Sequence, residues 1–129
     1  MALKNCPVGP LMAVSDLARA RHFYEDQLGL EPGEVQPESV RYFCAAGTNL
    51  FIYLQPDNAG MSAATLAGWT VDDLDSTIDE LTARGVRFER YDHPGITTDG
   101  RGIFDAGDFR AAWVKDPDGN TMALTQFTP

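Results

Sequence analysis

Histidine is the side chain most often used as a general base near neutral pH, and this chain has two histidines. His22 lies in a segment with helical periodicity, so we expect it on a helix surface. His93 lies just before Pro94 in a long segment rich in glycine. A loop beside a cavity would allow His93 to act as a general base, whereas a solvated loop histidine, the simpler interpretation, needs no function.

The two cysteines, Cys6 and Cys44, lie in unrelated contexts and form no CxxC pair or Cys/His cluster. Neither a disulfide framework nor a zinc site is indicated, and we expect a reducing, cytoplasmic location. The sequence also lacks GxSxG, P-loop and GxGxxG motifs. Local motifs therefore nominate no catalytic residue and no cofactor.

Charge and length exclude several classes of function. The formal net charge of -9 over 129 residues argues against nucleic-acid binding, which needs clustered lysine and arginine. An acidic surface would attract a cationic ligand or would simply confer solubility. No run approaches the roughly 18 apolar residues that a membrane span requires, and the N-terminus lacks the apolar core of a secretory signal. We expect one domain over residues 1–129 that does not enter a membrane.

Two helices are predicted by the same combination of signals. The first begins after Ser15 or Asp16 and ends at Gly29, and the second begins after Asp72 or Asp73 and ends at Gly85. Their apolar stripes start at equivalent points, since Leu17 and Leu74 are 57 residues apart. The spacing therefore predicts an internal repeat.

Short alternating stretches follow each helix, around 33–36, 40–45 and 49–55 in the first half and 86–90, 109–115 and 120–126 in the second. With one strand before each helix, both halves are predicted to be βαβββ modules. Module one covers about 7–56, a linker about 57–62, and module two about 63–127. The segment 93–108 is the longest irregular stretch, either a lid or, more simply, a surface loop.

The segments VSDLARARHFYEDQLGLEP and AAWVKDPDGNTMALTQ, within duplicated modules, resemble the vicinal oxygen chelate superfamily. That superfamily includes glyoxalase I, extradiol dioxygenases, fosfomycin-modifying enzymes and bleomycin-resistance proteins. The resemblance implies an α+β fold, in which two tandem modules form a curled mixed sheet around a cavity with the helices on the convex face. It also implies a homodimer, because members commonly pair modules between chains.

Strand alternation within that fold predicts which residues line the cavity. Depending on strand register, Trp113 either stacks on a ligand or packs under the second helix. The same residues could instead fill a closed core, with Tyr53 packed against Leu66. The candidate ligand-binding residues are Gly9, Leu11, Phe51, Tyr53, Leu66, Thr70, Trp113, Thr121 and Ala123.

Metal-using members of the superfamily hold a divalent ion with four strand positions, typically His or Gln, Glu, His and Glu. The resemblance places these positions here at Gly9, Tyr53, Leu66 and Ala123, the last lying seven residues after Asp116. Because none of the four has a side chain typical of these ligand sets, we expect no metal and no other cofactor.

These observations favour a metal-free protein that binds a small organic molecule by sequestration, as the bleomycin-resistance branch does. Two alternatives remain. The chain could be a lyase or dioxygenase whose ligands are misplaced, or a metal-independent catalyst using His93 or Tyr53. It could also be a non-catalytic partner subunit with a collapsed cavity. Three acidic residues near the long loop would form a rim for a cationic ligand or a solvated charge run: Asp99, Asp105 and Asp108.

Overall fold

A computed structural model describes residues 3–129, so the first two residues of the predicted domain lie outside the described part. Within residues 3–129 there are ten strands, two helices and three short 3-10 turns. The strands are β1 Leu11–Val14, β2 Pro32–Gln36, β3 Ser39–Phe43, β4 Asn49–Leu54, β5 Thr65–Thr70, β6 Asp92–His93, β7 Ile96–Thr97, β8 Phe104–Asp105, β9 Phe109–Lys115 and β10 Thr121–Phe127. The helices are α1 Leu17–Arg21, continued by a π-helical segment His22–Gln27, and α2 Leu74–Ala83; the 3-10 turns are Leu3–Asn5, Ala45–Gly47 and Pro56–Asn58.

The two halves of the chain form sheets with the same strand order. The first sheet is ordered β1-β4-β3-β2 and the second β5-β10-β9-β8. In each sheet the strand before the helix pairs in parallel with the last strand of its module. The predicted repeat, the α+β class and the curled mixed sheets are therefore confirmed.

The helix boundaries follow the capping signals in the sequence. The carboxylates of Asp16 and Asp73 each accept a hydrogen bond from the backbone N–H three residues further on, at 3.0 and 3.2 Å. Gly29 and Gly85 end the helical segments with φ of 79° and 91°, a conformation that side chains with a Cβ rarely adopt.

The first helix differs from its prediction in one respect, because it widens into a π-helix at His22. The wider turn places Phe23 and Tyr24 in the core, where 5% and none of their surfaces are exposed. His22 itself is exposed, with Nδ1 2.8 Å from a carboxylate oxygen of Asp26, so its predicted surface position is confirmed.

A single hydrophobic cluster contains side chains from both modules. The helix-facing residues of three strands belong to it, namely Met12, Val14, Leu50, Ile52, Met122 and Leu124, each with at most 4% of its surface exposed. Both halves therefore share one core. Within residues 3–129, no helix has the length and apolar character needed to cross a membrane.

One strand of module two lies elsewhere than predicted. The segment 86–90 contributes only an isolated bridge from Phe88 to Val114, and Phe104–Asp105 forms the strand that pairs with β9. Both pieces lie along the same edge of β9, because its other edge is taken by β10. The intervening chain contains the hairpin β6–β7, so the segment 93–108 is more ordered than a simple surface loop.

The turn between β9 and β10 joins the two modules through a buried carboxylate. Only 4% of Asp116 is exposed, and its side chain accepts four hydrogen bonds at 2.8 to 3.0 Å. The donors are the hydroxyl of Tyr24, the backbone N–H groups of Asp118 and Asn120, and the amide Nδ2 of Asn120. Burial and the neighbouring Asp116 carboxylate raise the pKa of Tyr24, which keeps the phenol protonated as a donor.

Further contacts from this turn fix its position against module one. The Nδ2 of Asn120 donates to the carbonyl of Ala13 at 2.9 Å, and the carboxylate of Asp118 accepts from the backbone N–H and hydroxyl of Ser15. Gly60 of the linker passes close to the backbone of Asp118 with φ of 67°, where a Cβ would collide. The Asp-Pro-Asp-Gly turn therefore orients one module against the other.

Replacing Asp116 with alanine should destabilise the protein strongly, because it would bury several donors without a partner. Each such donor costs about 1–3 kcal/mol, so we expect the free energy of unfolding in urea to fall by about 3 kcal/mol or more. Asp57→Ala, at an exposed position, is the matched control and should change it by less than about 0.5 kcal/mol. Equal losses in the two variants would contradict this role for Asp116.

Candidate functional site

Each sheet has one side covered by a helix and one side that faces away from it, which we call its open face. On module one, the register pairs Leu11 with Phe51 and Ala13 with Tyr53, so these four side chains share the open face. The rings of Phe51 and Tyr53 stack with centroids 6.1 Å apart at 20°, and both are half-buried. Leu11 is 65% exposed. The open face of module one is therefore an accessible apolar and aromatic surface.

Arg41 adds a fixed positive charge to this surface, and the sequence analysis missed it. Its guanidinium carbon lies 4.7 Å from the ring centroid of Phe51, within the range of a cation–π interaction. Hydrogen bonds to the carboxylate of Glu34 at 2.9 Å and to the side-chain carbonyl of Asn49 at 2.7 Å hold the guanidinium in place. The sequence did contain a signal for this position. Arg41 alternates with the apolar residues Val40 and Tyr42, which are buried, and this alternation places Arg41 on the opposite side of β3.

On module two, the strand register settles the position of Trp113. Ala123 of β10 pairs with Trp113 on one side and with Gly68 on the other, so all three lie on the open face. The alternative that Trp113 packs under the second helix is wrong. Thr70 pairs with Thr125 on the same face and is exposed. A large indole therefore lies beside an alanine, with a glycine one strand further along the same face.

A series of aromatic rings extends from Trp113 along this face. The ring centroid of Trp113 is 5.5 Å from that of Tyr91 and 6.3 Å from that of Phe104. Phe104 in turn contacts Phe109, which contacts Phe127, at 6.2 and 6.3 Å. The sequence analysis missed Tyr91, Phe104 and Phe109, because two of them reach the sheet only through the segment between α2 and β9.

That segment is held by its own acidic residues. The carboxylate of Asp99 accepts hydrogen bonds from the backbone N–H groups of Ile103 and Arg101 at 3.0 and 2.8 Å. The bond from Ile103 lowers the pKa of Asp99. Asp105 similarly accepts from the N–H of Gly107 at 2.9 Å. Both carboxylates therefore stabilise local turns, which accounts for them without a cationic ligand.

Thr121 and His93 line a separate cleft of about 530 Å³ beside the linker. Only 3% of Thr121 is exposed, and Tyr91 and Lys115 also contribute to the lining. His93 is exposed at the rim, with its ring centroid 5.7 Å from that of Tyr91. The arrangement brings an imidazole, an amine and a hydroxyl to one cleft next to the open face of module two.

The four positions that correspond to metal ligands do not form a donor set. Gly9 has no side chain, and a Cβ there would lie 3.3 Å from the carbonyl oxygen of Asn49, so a larger residue would require a small shift of that backbone. Leu66 lies where the β5–β10 register shifts and packs against the hydrophobic core. Ala123 has only a methyl group, which leaves the phenol of Tyr53 as one oxygen donor. Within residues 3–129, no group of three or more His, Cys, Asp or Glu side chains is placed to hold a metal ion.

The structure therefore divides the predicted ligand-binding residues among several places. Leu11, Phe51 and Tyr53 lie together on module one, and Thr70, Trp113 and Ala123 lie together on module two. A cleft of about 440 Å³ lies between the modules. It is lined by Thr70 of β5 and, from module one, by Val8 and Asn49. Two of the other residues lie away from the open faces, namely Gly9 before β1 and Leu66 on the core. Thr121 is on the same side of β10 as Ala123, but it is buried in the cleft beside the linker.

Two repeated βαβββ modules with curled, incompletely covered sheets define a class of small α+β ligand-binding and catalytic proteins. The chain belongs to the Glyoxalase/Bleomycin resistance protein/Dioxygenase superfamily, whose sequence profile matches residues 8–124. The predicted resemblance is thereby confirmed. No curated protein sequence matches the chain significantly.

Solved structures with the same fold come from several bacteria. A glyoxalase/bleomycin resistance protein from Catenulispora acidiphila is 25% identical, with a TM-score of 0.69 over 94% of this chain and 97% of that chain. TnmS3, an antibiotic binding protein from Streptomyces sp. CB03234, is 22% identical, with a TM-score of 0.65 over 96% and 98%. A glyoxalase/bleomycin resistance protein/dioxygenase from Alicyclobacillus acidocaldarius is 19% identical, with a TM-score of 0.68 over 100% and 96%.

The residues at the four ligand positions predict that divalent metal will not stabilise the protein. A resident ion present at 100 times its dissociation constant would add about 2.7 kcal/mol to the free energy of unfolding. For a chain of this size that corresponds to a rise in melting temperature of about 10 °C. We expect saturating Mn²⁺ or Ni²⁺ to raise the melting temperature by less than about 1 °C relative to EDTA-treated protein. A reproducible rise that EDTA reverses would contradict this expectation.

Proposed function

We propose that this protein binds a small organic molecule on its open faces, without a metal, and acts by sequestering it. The observation that carries the proposal is the set of half-buried aromatic side chains on both open faces: Phe51, Tyr53, Tyr91, Phe104 and Trp113. Small-molecule sites are mostly apolar surfaces with a few polar groups, which is the composition found here. TnmS3, which has the same fold, is described as an antibiotic binding protein.

The residues favour a ligand with a flat aromatic or conjugated part. On its β10 side, Trp113 neighbours Ala123, with Gly68 beyond it on β5, so no long side chain covers the indole from that direction. On module one, Arg41 and the stacked pair Phe51 and Tyr53 provide a second flat surface with one fixed charge. Binding through these groups would depend on buried area and stacking rather than on coordination.

We also propose that the working form is a homodimer in which the open face of module one meets that of module two from a second chain. Large apolar residues are exposed on both faces, with Leu11 at 65%, Phe43 at 57% and Phe127 at 61%. Exposed apolar residues grouped on one surface are typical of an interaction site. Such pairing would enclose a ligand between two aromatic surfaces, one from each chain. The cellular location that we propose is a reducing cytoplasm.

Native mass spectrometry of untagged protein purified without chelator tests the binding proposal. We expect a dimer mass without stoichiometric metal and with an organic adduct from the expression host or an added aromatic compound. Ala123→Trp should remove the adduct, because a second indole would occupy the space beside Trp113, while strand geometry tolerates the substitution. Ala18→Trp, on the exposed surface of α1, is the matched control and should retain the adduct.

Three results would contradict the proposal. One is a stoichiometric divalent metal, which would favour an enzyme with other ligand residues. The second is conversion of the added compound to a product. The third is equal adduct occupancy in Ala123→Trp and Ala18→Trp, which would place the ligand away from the open face of module two.

A substitution that introduces a charge on the open face of module one tests the proposed dimer. Leu11→Glu should convert the dimer to a monomer in size-exclusion chromatography with light scattering, because the carboxylate would be buried in an apolar interface. Val35→Glu is the control, since Val35 is 52% exposed but lies on the other side of its sheet, paired with buried Val40. A wild-type monomer, or a Leu11→Glu dimer of unchanged stability, would contradict this mode of assembly.

A further inference from the structure

The arginines of this acidic chain differ in whether they form ion pairs with carboxylates. Six of the eight form an ion pair with a carboxylate. Among residues 3–129, the guanidinium groups of the other two, Arg87 and Arg90, have no hydrogen bond or ion pair. In a chain with 19 acidic and 10 basic residues, both arginines without a carboxylate partner lie in one place.

That place is a cleft of about 500 Å³ on the helix side of the second sheet. It lies between the second half of α2, the segment 86–90 and the loop at residues 100 and 101. Phe88 bridges to Val114 of β9, whose neighbour Trp113 points to the opposite face. The cleft is therefore behind the open face of module two and separate from the proposed ligand site.

The lining combines positive charge with an apolar floor. Three arginines line the cleft, namely Arg87, Arg90 and Arg101, together with one acidic residue, Asp79, and the apolar residues Ile78 and Phe88. Arg101 is held in place by ion pairs with Asp79 and, at 2.8 Å, with Asp75. This leaves the guanidinium groups of Arg87 and Arg90 available to a ligand, with five donors each.

We propose that this cleft is a second binding site, for a small organic anion that has at least two anionic oxygens and an adjoining apolar group. Guanidinium groups recognise planar or tetrahedral oxyanions by paired, charge-assisted hydrogen bonds. The apolar group would lie against Ile78 and Phe88. Because the chain has a formal net charge of -9, we expect it to attract such an anion only where positive charge is locally concentrated, as it is in this cleft.

Phenyl phosphate and inorganic phosphate are the probes for this site. We expect phenyl phosphate to shift the backbone amide signals of residues 78–90 and 100–101 saturably in a two-dimensional NMR titration. It should bind more tightly than inorganic phosphate, because only the former can use the apolar floor, and its affinity should fall as salt is added. Absence of saturable shifts at millimolar concentration, or shifts confined to other residues, would overturn the proposal.

Charge-removing variants test the two arginines individually. Arg87→Gln and Arg90→Gln should each weaken phenyl phosphate binding about tenfold, the equivalent of about 1.4 kcal/mol. Arg87→Lys should bind with an intermediate affinity, because it keeps the charge but loses the paired donors. Both arginines are exposed and unpaired, so thermal unfolding of these variants should match that of the wild type.

Lys4→Gln is the matched control, since it removes one positive charge at an exposed position outside the cleft. We expect it to change the affinity less than twofold. If Lys4→Gln weakens binding as much as Arg87→Gln, or if the arginine variants bind like the wild type, the site is overturned. Either result is independent of the Ala123→Trp experiment, so the two proposals can fail separately.

Discussion

The buried carboxylate of Asp116 is the constraint on which the relative placement of the two modules depends. A carboxylate removed from water is stable only when its oxygens are hydrogen-bonded, and here the turn residues and Tyr24 provide the donors. Tyr24 is on the helical segment of module one, whereas Asp116 begins the turn of module two. Satisfying one buried charge therefore requires both modules to be folded and docked.

The same turn determines what the open faces present. It closes through a bond from the N–H of Asp116 to the carbonyl of Asn120 at 3.0 Å, which sets Lys115 opposite Thr121. Counting along the two strands from that pair brings Trp113 opposite Ala123. A shift of one residue would turn Trp113 to the helix side and expose Val114, so the turn fixes the binding surface as well as the fold.

The sequence predicted well the features that short-range interactions decide. Asp16 and Asp73 cap their helices within one turn, and Gly29 and Gly85 end them by conformation alone, so each signal is complete within a few residues. The strand β8 at Phe104 was not predictable in this way. Its pairing with β9 depends on where the chain from 91 to 103 leaves and rejoins the sheet edge, which the ion pairs of Arg101 and the turn at Asp99 help to define.

In the candidate site too, some residues could be placed from local sequence patterns, whereas others depend on long-range contacts. Alternation along β1 and β4 was sufficient to place Leu11, Phe51 and Tyr53 on one face, because regular strands keep their parity. Leu66 shows how parity can fail, because the register shift beside it allows its side chain to pack on the core. Arg41 and Tyr91 required knowledge of which strands and segments are neighbours, and that information is distributed over the whole chain.

The small residues on module two give the open face its chemical character. A carboxylate at position 123 would need a metal or hydrogen-bond donors to offset its desolvation, and it would project beside the indole of Trp113. With alanine there and Gly68 beyond it, the β10 side of the indole is bordered by a methyl group and backbone, while Tyr91 and Phe104 border its other side. Such a surface gains free energy by burying a flat apolar partner and has no strong directional preference. Selectivity would then come from fixed polar groups around it, and Arg41 on module one is such a group because Glu34 and Asn49 hold it in place.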